Sequence, residues 1–150
     1  MTSREYFCAA REAVQRLTTY REKIEAKREL AVMRARRDGP SGRGGVTDPT
    51  RRIDDLVDME ASFERDRAED GRVVLEASRL LEAYGGIDDA GAKIIRSRYL
   101  KLMRWPDIAE DMGMTYAEAR DAEAVAHDRI DSEGVAAILG GSLRITGAER

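Results

Sequence analysis

The chain has one cysteine, one histidine, one tryptophan and three prolines in 150 residues, and aromatic residues make up 5% of it. A lone cysteine, Cys8, excludes an intrachain disulfide and fits a reducing compartment. Cys8 and His127 stand 119 positions apart, and nothing between them implies a scaffold that would join them as nucleophile and base. No catalytic residue, enzymatic activity or cofactor is expected. No apolar run approaches the roughly 20 residues of a membrane span. The opening Met1-Thr2-Ser3-Arg4 has no apolar signal-peptide core. The expectation is a soluble, cytoplasmic protein with no membrane partner. Strand signals are missing too, since no alternating β-branched run lies between hairpin turns. The net charge of −3 is too balanced to announce nucleic acid or membrane by itself.

What is present is charge on a helical period. Charged residues make up 37% of the chain, which suits long solvated helices and an all-α fold. Residues 3–37 read as one helix, with Tyr6, Ala10, Ala13, Leu17, Tyr20 and Ile24 on a coiled-coil-like seam that Lys27 breaks and Ala31 resumes. At about 1.5 Å per residue such a helix is about 50 Å long. Asp38–Asp48 is a glycine-rich loop. No Gly-Lys-Ser/Thr follows it and no strand precedes it, so a flexible connection fits better than a phosphate cradle. Asp48 is placed to cap a second long helix that Pro49 opens. Its seam is Ile53, Leu56, Phe63, Val74, Ala77, Leu81 and Tyr84, interrupted by Glu60, Arg67 and Asp70. Gly71 is a possible kink, and Gly85-Gly86 ends the helix.

Residues 3–37 hold ten basic and five acidic side chains, and residues 48–84 hold eleven acidic and six basic. An antiparallel hairpin over 3–84 gains from that complementarity, although exposed pairs contribute at most about 1 kcal/mol each. The seams are thin, so a homo-oligomer is expected. Val135–Leu139 reads as a short helical turn, and the remainder of 132–150 as a disordered tail.

Residues 87–131 form the informative stretch. Trp105 to Ala124 has the register of a helix-turn-helix. Ala109 sits at the helix crossing, Gly113 in the turn, and Thr115 with Glu118 makes a capping box. Ala119 and Ala122 stand where the second helix packs back. Tyr99 and Trp105 continue the apolar spacing through Leu102, Ile108 and Met112 and are expected in the core. His127 is expected as a partly exposed surface or packing residue.

Ile95-Arg96-Ser97-Arg98-Tyr99, followed by Leu102, Trp105, Ile108 and Ala109, resembles a conserved run in region four of bacterial sigma factors. More narrowly, the chain resembles small phage proteins of Gram-positive bacteria described as late-gene transcriptional regulators. Those share this ending, a long N-terminal helix, and a segment matching Asp48-Pro49 through Ile53, Asp54, Leu56, Val57, Asp58 and Glu60. The likeness covers roughly residues 5–131. Arg104 stands where the family usually has Ser or Thr as a cap, Ala119 where a larger β-branched residue is common, and Glu123 where a histidine is common. The resemblance implies a phage- or prophage-derived regulator acting on double-stranded promoter DNA or on RNA polymerase.

A recognition helix enters the major groove by its N-terminal residues. The candidate DNA contacts are therefore Thr115, Tyr116 and Arg120, with Lys93, Arg96, Arg98, Lys101 and Arg104 on the preceding segment as phosphate contacts. Glu118 and Asp121 oppose them. A second basic cluster, Arg34, Arg36, Arg37, Arg43, Arg51 and Arg52, lies at the hairpin tip, either as a solvated end or as a further phosphate contact. Acidic pairs such as Asp54 with Asp58 and Glu60 with Glu64 have the spacing for Mg²⁺. The first helix, however, offers no matching acidic motif, so a solvated face is the better reading and no metal site is expected. Two other functions fit the same pattern: a helical adaptor without DNA binding, and a small terminase-like DNA-packaging subunit.

Overall fold

The computed structural model describes residues 1–37 and 49–145, and every regular element among them is helical. The elements are α1 (Ser3–Arg37), α2 (Pro49–Gly85), α3 (Asp89–Ile95), a π turn (Arg96–Leu100), α4 (Trp105–Met112), α5 (Tyr116–Glu133) and α6 (Val135–Ile145). The fold is all-α. The loop read at 38–48, with the Asp48 cap and Arg43, lies outside the described residues.

α1 and α2 pair antiparallel. Arg16 meets Asp70, the Tyr20 ring lies 5.5 Å from that of Phe63, and Arg28 reaches Glu60 at 3.9 Å, so the contacts step in opposite directions along the two helices. Ala10, Ala13, Ala77, Leu81 and Tyr84 of the expected seams are buried. The polar interruptions answer one another. Asp70, only 6% exposed, receives Arg16 Nη2 at 2.8 Å and Nε at 3.1 Å. Lys27 lies against Met59 Sδ. A buried carboxylate is tolerated when a guanidinium meets it with such geometry. α2 continues without interruption through Gly71.

The hairpin and the C-terminal helices do not have separate cores. Phe7 and Ala10 of α1, Ala77, Leu80, Leu81 and Tyr84 of α2, Ala92 and Ile95 of α3, Tyr99, Ala126 and Ile130, and Ile138 of α6 form one buried cluster. Phe7 is fully buried, while its neighbour Tyr6, the expected seam residue, is only partly so. A two-helix seam needs only position 6. A third layer, built from Tyr99 and His127, buries position 7 as well, with both ring centroids 5.9 Å from that of Phe7.

Asp88 caps α3, accepting from the Gly91 N–H at 2.9 Å, and Tyr84 donates its hydroxyl to the same carboxylate at 3.2 Å. Gly91 lets α3 cross α5 closely: a Cβ there would collide with the Asp88 carboxylate and come within 2.9 Å of Ala126 Cβ.

The tail differs from expectation. In place of a short turn and disorder, α6 runs through Gly140 and Gly141 to Ile145. Ile138 is buried, and Val135 packs against the shared core. Tertiary burial of one apolar face outweighs the poor helix propensity of two glycines. Residues 146–150 lie outside the described residues.

Candidate nucleic-acid interface

α4 and α5 are joined by a tight turn. Ile108 and Ala119 are fully buried and Ala109 nearly so, which lets the two helices approach. Gly113 ends α4 at φ 64, a left-handed conformation cheap for glycine, and Met114 N–H returns to Ala109 O at 2.9 Å. Thr115 Oγ1 accepts from Glu118 N–H at 3.2 Å while Glu118 Oε2 accepts from Thr115 N–H at 2.9 Å, a reciprocal capping box. Thr115 is thereby committed to holding the end of α5. Arg104, at the N-cap of α4, makes no side-chain cap.

The approach to α4 is shaped by the π turn. Lys101 N–H donates to Arg96 O at 3.0 Å and Met103 N–H to Ser97 O at 2.9 Å, while Leu102 sits at φ 56. A bulky residue in that region carries backbone strain, and π turns concentrate at functional sites. The chain reverses here and brings Arg98 and Trp105 together. Arg98 lies over the Trp105 ring at 5.3 Å and Arg120 of α5 at 5.5 Å, each measured to the ring centroid. Tyr116 meets Trp105 edge-on at 6.2 Å, and Arg120 Nη1 donates to its hydroxyl at 3.3 Å. Two guanidiniums thus gather on one indole at the first turn of the second helix, with Tyr116 48% exposed.

Trp105 corrects the sequence reading. It is partly exposed and serves as a platform for arginines, whereas Tyr99 is buried as expected. The strict apolar spacing failed because the π turn and Leu102 shift the register between Tyr99 and Trp105.

The other expected DNA contacts divide. Lys101 and Arg104 are exposed at the edge of the cluster, Arg104 with Asp107 at 3.4 Å. Lys93 is exposed and paired with Asp89 at 2.8 Å. Arg96 is a correction, because its guanidinium is spent on α2, donating to Ser78 Oγ at 3.1 Å. At the hairpin tip Arg34, Arg36 and Arg37 are exposed. Arg51 and Arg52 are described only as α2 backbone. The remaining outer face of α4 and α5 is acidic, with Asp107, Glu110, Asp111, Glu118, Asp121 and Asp128 all exposed.

No family model, no curated protein and no solved structure matches this chain.

Behind the outer face of α5 lies a network that the sequence reading missed. Tyr99 donates to Glu123 Oε1 at 2.7 Å, and His127 Nε2 stands 3.5 Å from the same oxygen. Ser3 Oγ and His127 Nδ1 are 2.8 Å apart, and Ser3 N–H donates to Asp131 at 2.5 Å. Glu123 and His127 are 5% and 3% exposed, which corrects the partly exposed reading of His127. Burial raises the Glu123 pKa, but the His127 ring beside it and the hydrogen bond from Tyr99 more than offset this and hold it below the usual carboxylate range. Burial and then Glu123 push the Tyr99 phenol well above its ordinary range. The signal was available. Glu123 and His127 are four apart on the face of α5 that Ala119, Ala126 and Ile130 bury, and polar residues at such positions need partners.

Among the described residues, no three His, Cys, Asp or Glu side chains converge as a metal site, and no helix is long and apolar enough to cross a membrane.

Proposed function

We propose that this chain is a double-stranded-DNA-binding transcriptional regulator that uses α4 and α5 as a sigma region-four-like helix-turn-helix, of the phage late-gene type its sequence resembles. The observation that carries the reading is the Trp105 platform. It gathers Arg98 and Arg120 beside Tyr116 at the first turn of the second helix, where such a helix meets the major groove. Arg120, pre-oriented on two rings, suits a guanine edge. Lys101 and Arg104, exposed alongside, suit backbone phosphates. The test is fluorescence anisotropy on promoter and packaging-site duplexes at several salt concentrations. Lys101→Ala and Arg104→Ala are expected to weaken binding to all sequences and to flatten the log affinity against log salt slope by about 0.9 each. Arg120→Ala is expected to relax choice at one base pair by about 1–3 kcal/mol. No binding to any duplex at low salt would defeat the reading.

The six exposed carboxylates on the outer face of α4 and α5 favour a second reading, an adaptor whose helix-turn-helix docks on a basic protein surface such as one on RNA polymerase. Gel filtration with core polymerase in the absence of DNA separates the two. Co-elution that Asp121→Lys with Asp128→Lys abolishes supports the adaptor.

A further inference from the structure

Opposite ends of the molecule carry exposed surfaces of opposite charge, each with an apolar centre. At the far end of α1, Leu30, Val32 and Met33 are more than half exposed. Met33 and Arg36 lie roughly half a turn around α1 from Tyr20, which faces Phe63, so this patch points away from α2. Residues 27–37 hold five basic side chains and one carboxylate, Glu29. Lys27 and Arg28 are turned to Met59 and Glu60 of α2, while Arg36 and Arg37 are exposed beside the apolar residues. The nearby carboxylates Asp54 and Asp58 lie roughly half a turn around α2 from Phe63, on the far side from α1. On α5, Glu118, Asp121, Val125 and Asp128 follow at intervals of three, four and three. They form an exposed stripe turned away from the buried Ala119, Glu123 and Ile130, with Val125, 62% exposed, inside it. Arg120 lies off this stripe on Trp105, and Arg129 is paired with Glu133 at 3.1 Å.

We propose that the α1 tip of one copy docks on the α5 stripe of a second copy, with Leu30 and Met33 against Val125 and Arg36 and Arg37 against Asp121 and Asp128. Charge complementarity chooses the occupant. Tip on tip sets arginines against arginines, and stripe on stripe sets carboxylates against carboxylates, while tip on stripe opposes unlike charges. A phosphate backbone satisfies the arginines but offers nothing to Leu30, Val32 and Met33, whereas the stripe supplies both its carboxylates and Val125. The two surfaces of one copy cannot meet. Phe7 packs on Tyr99 and on His127 of α5, and Met33 stands 26 residues further along the same helix, about 40 Å away at about 1.5 Å per residue. The contact therefore joins copies, and it either closes as a reciprocal pair or runs on head to tail. Both sides belong to this chain, so the proposal rests on neither DNA nor polymerase.

Charge reversal tests the contact and its pairing together, with the full chain alone in sedimentation equilibrium. Assembly is expected at low salt and is expected to weaken at about 1 M, where the Debye length is about 3 Å. One variant combines Arg36→Glu with Arg37→Glu, and another combines Asp121→Lys with Asp128→Lys. Each by itself is expected to raise the dissociation constant roughly tenfold or more, because like charges then face each other. An equimolar mixture of the two is expected to assemble again, since every tip then finds a stripe of opposite sign. Met33→Gln, which alters no charge, is expected to weaken assembly too, and it carries the test should a reversal unfold the chain in circular dichroism. A parent chain that stays monomeric at low salt overturns the proposal. So do folded variants that assemble as the parent does, or a mixture that assembles no better than its components.

Discussion

The two ends of the hairpin carry similar heptad-like patterns and meet different fates. At the base, the first turns of α1 and the last turns of α2 are roofed by α3, the π turn, α5 and α6, and Phe7, Leu80 and Tyr84 are fully buried. Toward the tip no third layer arrives among the described residues. Leu30, Val32 and Met33 of α1 and Val57 of α2 are more than half exposed, and an open groove of about 390 Å³ runs beside Arg28, Glu29, Val32 and Met33. A two-helix seam alone buries small residues such as Ala13. Burial of large side chains needs a third element, so stability concentrates at the base.

The strongest way to break this contrast is Phe7→Ala. It is expected to cost about 3–5 kcal/mol in urea unfolding, as large core truncations do. Leu30→Ala at the exposed tip is expected to stay within about 0.5 kcal/mol. Equal losses at the two positions would mean that the tip is buried in solution.

Gly91→Ala comes next. The added methyl meets the Asp88 carboxylate and Ala126, so α3 and α5 must part, and about 1–3 kcal/mol is expected to be lost. Gly71→Ala is the control at the open position. It is expected to raise the monomer's stability slightly, by about 0.5–1 kcal/mol, in urea titration at low protein concentration.

The buried network sharpens the contrast through pH. Glu123 is held below its unfolded value, so the stability it contributes is present above the ordinary carboxylate range and is lost as pH falls through its folded value. The Tyr99 and Tyr84 phenols are raised, Tyr84 to about 12 by burial and then by Asp88. Their contribution is present below about pH 10 and is lost as pH rises above it. Urea midpoints against pH are therefore expected to fall at both ends. Glu123→Gln is expected to flatten the acid limb, at a cost of about 1–3 kcal/mol near neutrality. An unchanged acid limb in that variant would remove Glu123 from the account.

The smallest effect separates Trp105 from the core. Trp105→Ala is expected to cost less than about 2 kcal/mol, because the ring is only partly buried. Acrylamide should quench its fluorescence in the folded state, and Arg98→Ala with Arg120→Ala should change that quenching.

Local chemistry was legible in the sequence wherever neighbours in the chain decide the outcome. The helical periods, the capping box of Thr115 and Glu118, the left-handed turn at Gly113 and the all-α class follow from residues within a few positions of one another. The interrupting charges on the two long helices were legible, but their pairing was not. Arg16 finds Asp70 only once the antiparallel register is set. Tertiary structure alone turned Trp105 outward, spent Arg96 on Ser78, drew Ser3 to His127 and folded α6 through two glycines. In each case the partner lies far along the chain or across the π turn. Burial by a distant element then outweighs the local preference that a sequence displays.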